Sequence, residues 1–153
     1  MRLKDQVAVV TGGGQGIGKA ISKKLAQEGA AVAIFELKKE TGQATADEIK
    51  KSGGKALFCA TDCTKKGEVD ASVAAAVKEF GKIDILVNNI GWALPTYFVE
   101  ENEAYWDKVI ALKSKTQLLV THAVLKDMTQ RKGGKIVNVS SDAAVAAYEG
   151  WGG

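Results

Sequence analysis

Residues 6–18 read Gln-Val-Ala-Val-Val-Thr-Gly-Gly-Gly-Gln-Gly-Ile-Gly. Gln6–Val10 is a short, valine-rich apolar run closed by glycines, the pattern of a strand buried on both faces. Beyond the glycines, Gly18–Glu28 carries Ile21, Leu25 and Ala26 at helical spacing, and Gly29 supplies a stop. Glycines between a strand and a helix let backbone approach a pyrophosphate at the helix N-terminus. An acid, Glu36, ends the next apolar run, where a carboxylate can bind both ribose hydroxyls of an adenosine. That carboxylate repels a 2′-phosphate, so NAD(H) is expected over NADP(H), with Lys38 and Lys39 weakening the preference. Gly13, Gly18 and Lys19 also fit the opening of a triphosphate-binding loop. Ala20 stands where that loop needs Ser or Thr for magnesium, which disfavours triphosphate hydrolysis.

Working outward, strands and helices alternate. Ala30–Phe35, Ala56–Ala60, Ile83–Val87 and Lys135–Val139 read as strands. Glu40–Lys51, Lys66–Phe80 and one long helix, Glu103–Gln130, read as helices, stopped by Gly53, Gly81 and the Gly133-Gly134 pair. Strands apolar on both faces, alternating with helices, imply an α/β doubly wound parallel sheet of about five strands, covered on both sides. The residues after Val139 are too few to return and pair another parallel strand. The sheet is therefore expected to be incomplete on its C-terminal side, with the fifth strand on an open edge.

The chain has 153 residues, which suits one domain over 1–153. It is 46% apolar and 25% charged, which excludes a disordered chain. The net charge of +3 is spread along the sequence without a basic block, so nucleic acid is not expected as a partner. No apolar run approaches the ~18 residues of a membrane span, and the first residues do not have the form of a signal peptide. Cys59 and Cys63 are the two cysteines and lack a second pair, which suits reduced thiols in a cytoplasmic protein and argues against zinc. His122, the one histidine, reads as a packing or surface residue.

Three further stretches carry a specific resemblance. Thr11-Gly12-x-x-x-Gly16-x-Gly18 is similar to the cofactor signature of the classical short-chain dehydrogenases/reductases. Asn88-Asn89-Ile90-Gly91 resembles that family's Asn-Asn-Ala-Gly motif, and Ile136-Val137-Asn138-Val139-Ser140-Ser141 resembles the strand that carries its catalytic serine. The resemblance implies a Rossmann-type fold, here spanning about the first three-fifths of a family domain. Details around Asn89-Ile90-Gly91-Trp92 and Ser141-Asp142-Ala143-Ala144 look most like the branch acting on alicyclic hydroxyacyl-CoA thioesters. The implied cofactor contacts are Gly12, Gln15, Gly16, Ile17, Gly18, Glu36, Asp62 and Cys63 at the adenine, Asn89 and Gly91. The implied catalytic residue is Ser141, the second of its pair, which would hydrogen-bond the substrate oxygen. The implied reaction is hydride transfer between nicotinamide and a small-molecule alcohol or ketone, in a homo-oligomer.

The pattern also departs from the family. The family's base is a tyrosine assisted by a lysine four residues later, because a phenol with a pKa near 10 is a poor base at neutral pH without a cation. Here Tyr148 comes too early and is followed at that spacing by Gly152. The chain by itself is therefore expected to be catalytically incompetent and to bind NAD(H) weakly at best. A non-catalytic NAD-binding or protein-interaction module is the alternative. Lys113 stands where the family has an asparagine, either as an electrophile in the cleft or on a solvated helix face. Ile90 replaces a small alanine. Trp92, Leu94 and Tyr97 either border a substrate cleft or pack the start of the long helix.

Overall fold

The computed structural model describes residues 1–142. Five strands form one parallel sheet: β1 (Val7–Thr11), β2 (Ala31–Glu36), β3 (Lys55–Ala60), β4 (Ile85–Asn88) and β5 (Lys135–Asn138). Their order is β3-β2-β1-β4-β5. Five α-helices accompany them: α1 (Gly16–Gln27), α2 (Lys39–Lys51), α3 (Lys66–Phe80), α4 (Glu103–Ile110) and α5 (Thr116–Gln130). This is the Rossmann-type doubly wound sheet that the alternating pattern implies. Among the described residues β5 pairs with β4 alone, and Val137 on it is 51% exposed, so the expected open edge is present.

Successive residues of the central strands feed two separate cores. Val9, Ala33, Phe35 and Leu86 pack with Val69, Val73 and Ala76 of α3 and Val120, Val124 and Met128 of α5. Ala8, Val10, Val32, Ile34 and Val87 pack on the other face with Ala46 and Ile49 of α2 and Ile21 and Leu25 of α1. Each fully buried aliphatic side chain here contributes roughly 1.5–3 kcal/mol. Because both faces are apolar, a slip of one residue would not expose a polar face, so hydrophobicity alone sets the register weakly. Polar groups at the two ends of β4 fix it instead. Below β4, the Val7 amide donates to Asp84 Oδ2 at 2.9 Å and the Asp84 amide donates to the Val7 carbonyl at 2.9 Å. Above it, the Asn89 amide donates to Thr11 Oγ1 at 2.9 Å, and Asn88 Nδ2 donates to Thr121 Oγ1 at 3.0 Å and Asn138 Oδ1 at 2.9 Å.

The long helix expected over Glu103–Gln130 is not one α-helix. Ala111–Lys115 is a π-helical turn between α4 and α5. The Thr116 hydroxyl donates to the Leu112 carbonyl at 2.7 Å, while the Thr116 amide reaches back to Ala111. A side chain that claims the i−4 carbonyl pushes the main-chain bond one residue further, which makes a π-turn. The stop of α5 also differs from expectation. The left-handed residue is Lys132 (φ 56°), not either glycine, and the Gly133 amide closes on the Met128 carbonyl at 3.0 Å. The closing hydrogen bonds match those at Gly29 and Gly53, with a lysine in the glycine's place. Strand and helix limits elsewhere shift by one or two residues, as expected at frayed ends.

Candidate functional site

β1 is flanked by β2 on one side and β4 on the other, and the helices leaving β1 and β4 lie on opposite faces of the sheet. The chain therefore diverges at the C-terminal ends of β1 and β4, which opens a crevice there. A cavity of about 350 Å³ occupies it. The glycine loop supplies Gly12, Gln15, Ile17 and Gly18; β2 supplies Glu36; the turn after β3 supplies Asp62 and Cys63; the segment after β4 supplies Asn89 and Gly91. Gly16 and Ser141 do not line it. Ser141 lies exposed beyond β5, its hydroxyl donating to Asp142 Oδ1 at 3.2 Å.

The loop is tied down from both sides. Gly12 adopts φ 62°, and its amide donates to the Phe35 carbonyl at 2.8 Å. Asn89 Nδ2 donates to the Thr11 carbonyl at 3.1 Å. The Gly14 amide donates to Glu36 Oε2 at 3.2 Å, and the Lys38 amide donates to Oε1 at 3.2 Å. Glu36 is thus held at the end of β2 by main-chain donors, while Lys38 and Lys39 are exposed beside it. Each carboxylate oxygen has two lone pairs, so both keep acceptor capacity for a ligand hydroxyl.

The first turn of α1 has no side-chain cap and no acid, whereas α2 and α3 have Glu40 and Glu68 in theirs and α4 is capped by Asn102. Its orphan N–H groups are the partial positive end of the helix dipole, the arrangement that holds an anionic phosphate. A larger cleft of about 980 Å³ lies at the opposite end of the sheet, beside Gly29, Gly53 and Lys55. Helix C-termini point there, and their carbonyl ends disfavour anions. The smaller cavity is therefore the better cradle for a dinucleotide.

Asp62 follows β3. Its Oδ1 accepts from the Thr64 hydroxyl at 2.6 Å and the Thr64 amide at 3.0 Å. The Thr64 hydroxyl is the main reason that its carboxyl lies below its ordinary range. Beside it, Cys63 is 3% exposed, and burial, with help from the Asp62, Glu36 and Glu68 charges, pushes its thiol up to about 12. Burial alone pushes the Cys59 thiol up to about 11. At pH 8 a thiol at about 12 is only about one part in ten thousand thiolate. The folded chain is therefore expected to react with iodoacetamide at least about a hundredfold more slowly than the chain in urea. Equal labelling rates, read by mass spectrometry, would contradict this environment.

Sequence reasoning missed Leu112 and Thr116, which line the same cavity from the π-turn and the start of α5. Nothing local marks them; only the passage of the helix over the sheet brings them in. Thr61 and Thr64 also line the cavity, and their place on either side of the Asp62-Cys63 pair is the local signal that marks them. Lys113 sits half-buried in the π-turn, and His122 is exposed. No cluster of metal-ligating side chains occurs among the described residues. Trp92 packs on the start of the helix, 5.5 Å from Tyr105 with Lys108 over its ring at 3.8 Å. The Tyr105 hydroxyl donates to the Leu94 carbonyl at 3.1 Å, while Leu94 and Tyr97 remain exposed. Tyr148, Ala143 and Ala144 lie outside the described residues. No helix among the described residues is long and apolar enough to cross a membrane.

Comparison with known proteins agrees with this geometry. The family model described as short chain dehydrogenase matches residues 6–153. The chain is 38% identical to the hydroxy(phenyl)methyl-succinyl-CoA dehydrogenase subunit BbsD of Thauera aromatica, over 94% of this chain and 58% of that protein. It is 37% identical to an NAD-dependent glycerol dehydrogenase of Listeria innocua, over 96% of this chain and 57% of that protein. Among solved structures, a 7α-hydroxysteroid dehydrogenase complexed with NADH and 7-oxo glycochenodeoxycholic acid superposes with a TM-score of 0.92. It is 32% identical and covers 97% of this chain, which spans 58% of it. The chain thus spans somewhat over half the length of the relatives it matches.

Proposed function

This chain belongs to the short-chain dehydrogenase family, and on that premise we propose that residues 1–153 form one dinucleotide-binding domain, the cofactor-holding part of an NAD-dependent oxidoreductase. The observation that carries this reading is the single cavity that joins the glycine loop, the uncapped first turn of α1 and the Glu36 carboxylate. The amides of the loop and of α1 hold the pyrophosphate. Glu36 accepts from the adenosine ribose hydroxyls and repels a 2′-phosphate, and Asp62 and Cys63 border the adenine. Asn89 and Gly91 close the nicotinamide side. The bound nicotinamide supplies hydride transfer to or from a carbinol carbon. Ser141 follows the strand beside β4 and is the residue proposed to hydrogen-bond a substrate oxygen. The named activity of the Thauera relative supports a hydroxyacyl-CoA thioester as the substrate class, and a homo-oligomer located in the cytoplasm completes the proposal.

No tyrosine with a lysine four residues on follows Ser141 in these residues. A polypeptide of residues 1–153 is therefore expected to bind NADH and not to turn over an alcohol. The test is fluorescence titration with NADH and NADPH, paired with a dehydrogenase assay. NADH should bind the more tightly, and Glu36→Gln should shrink the preference by about tenfold by removing the charge that repels the 2′-phosphate. Absence of binding by either dinucleotide would refute the reading. Alcohol turnover that Ser141→Ala abolishes would refute the incompetence of this polypeptide. The edge of β5 that stays open among the described residues favours one second reading, a protein-interaction module, because an open strand edge invites pairing with another chain. A monomer by light scattering at high concentration would dismiss it.

A further inference from the structure

Behind Asp62, outside the cavity, lie two charged side chains that touch it from the start of α3. Glu68 Oε2 accepts from the Asp62 amide at 2.8 Å, and Glu68 Oε1 accepts from Lys65 Nζ at 3.1 Å. The same ammonium also pairs with Asp62 Oδ2 at 3.4 Å, so Lys65 bridges the two acids and lies nearer Glu68. Asp62 Oδ1 is already engaged twice by Thr64. Oδ2, engaged by Lys65 alone among these groups, is the oxygen with a lone pair to spare, and Lys65 is the group that competes for it.

We infer that Glu68 is a positioning residue for the adenine end of the cofactor: it anchors the Asp62 main chain and shares Lys65 with the Asp62 carboxylate, so that the ammonium does not close fully on Asp62. This rests on the dinucleotide reading of the cavity. With Lys65 shared between the two acids, Oδ2 accepts the exocyclic amine of adenine. A carboxylate that only accepts cannot pair with a purine bearing an oxygen at that position, so the arrangement selects the amine. With the Glu68 charge gone, Lys65 closes on Oδ2, blocks the amine and offers a donor to an oxygen instead.

The experiment compares NADH with its reduced hypoxanthine analogue, both read by fluorescence, on the 153-residue chain. Wild type should favour NADH by about tenfold or more, the expected discrimination of one hydrogen bond to a charged group. Glu68→Gln keeps an acceptor for the Asp62 amide but should lose most of that ratio. The double variant Glu68→Gln/Lys65→Met should regain it, since the competitor is gone. Loss of a merely structural contact would weaken both dinucleotides alike, and removing Lys65 as well would not restore selectivity. An unchanged ratio in Glu68→Gln, or no recovery in the double variant, overturns the inference while the cavity keeps its assignment. Failure of wild type to bind either dinucleotide overturns both.

Discussion

Gly18→Ala is expected to abolish detectable dinucleotide binding and to lower stability by about 2 kcal/mol, roughly 4–8 °C in Tm for a chain of this length. Two effects oppose each other. Gly18 lies in the first turn of α1, where alanine is worth up to about 1 kcal/mol over glycine. Against this, a Cβ there would stand 2.1 Å from the Gly12 carbonyl oxygen, 2.8 Å from its carbon and 2.7 Å from Asn89 Nδ2. These are mostly main-chain atoms, which cannot swing aside. Relief requires the glycine loop to move off the helix, and overpacking of this kind costs about 1–3 kcal/mol. It also breaks the Asn89 hydrogen bond that ties β4 to β1. Gly67→Ala is the control: nothing lies within 4 Å of a Cβ there, so binding should hold and Tm should not fall. A Gly18→Ala chain that melts and binds like wild type would show that the loop is not packed as described.

Asp84→Ala is expected to cost about 3 kcal/mol, roughly 6–12 °C in Tm. Asp84 Oδ2 accepts from the Val7 amide and from Lys82 Nζ, both at 2.9 Å, and Oδ1 accepts from Arg131 at 3.1 Å. Arg131 also donates to the Ile83 carbonyl and to Asp127, which in turn accepts from the Ile83 amide at 3.0 Å. One carboxylate thus joins β1, β4 and the end of α5. Removing it leaves the Val7 amide without a partner in a buried strand, worth about 1–3 kcal/mol. It also takes the carboxylate from Lys82 and leaves Arg131 with Asp127 alone, but both cations are about one-third exposed, and solvent screening holds the total to the lower end for a broken pair. Asp84→Asn keeps an acceptor for Val7 and should lose about half as much. Urea unfolding with equal losses in both variants would contradict the role given to the Val7 bond.

The same clamp has a pH signature. Burial would raise the Asp127 carboxyl, but the hydrogen bonds from Arg131 and the Ile83 amide outweigh it and hold it below its usual range. A carboxyl depressed in the folded state stabilises the fold fully above its unfolded pKa, near 3.9, and loses that contribution as pH falls through the folded value. Acid unfolding should therefore be shallow until about pH 4 and steepen below it.

Sequence alone determined the parallel sheet, its glycine loop and the acids that end β2 and follow β3. Each is a local pattern: a run of both-face apolar residues, a glycine cluster between strand and helix, a charge at a strand end. Nine of the ten residues expected at the cofactor, all but Gly16, line one cavity for that reason. What tertiary structure decided involves partners far apart in the chain. Leu112 and Thr116 reach the cavity because α5 packs across β4. The π-turn exists because the Thr116 hydroxyl displaces a main-chain bond, and threonine in a helix is otherwise unremarked. Lys132 takes a left-handed turn with two glycines next to it. The register of β1 against β4 depends on Asp84 and Asn89, because both faces of these strands are apolar and hydrophobic alternation cannot choose it.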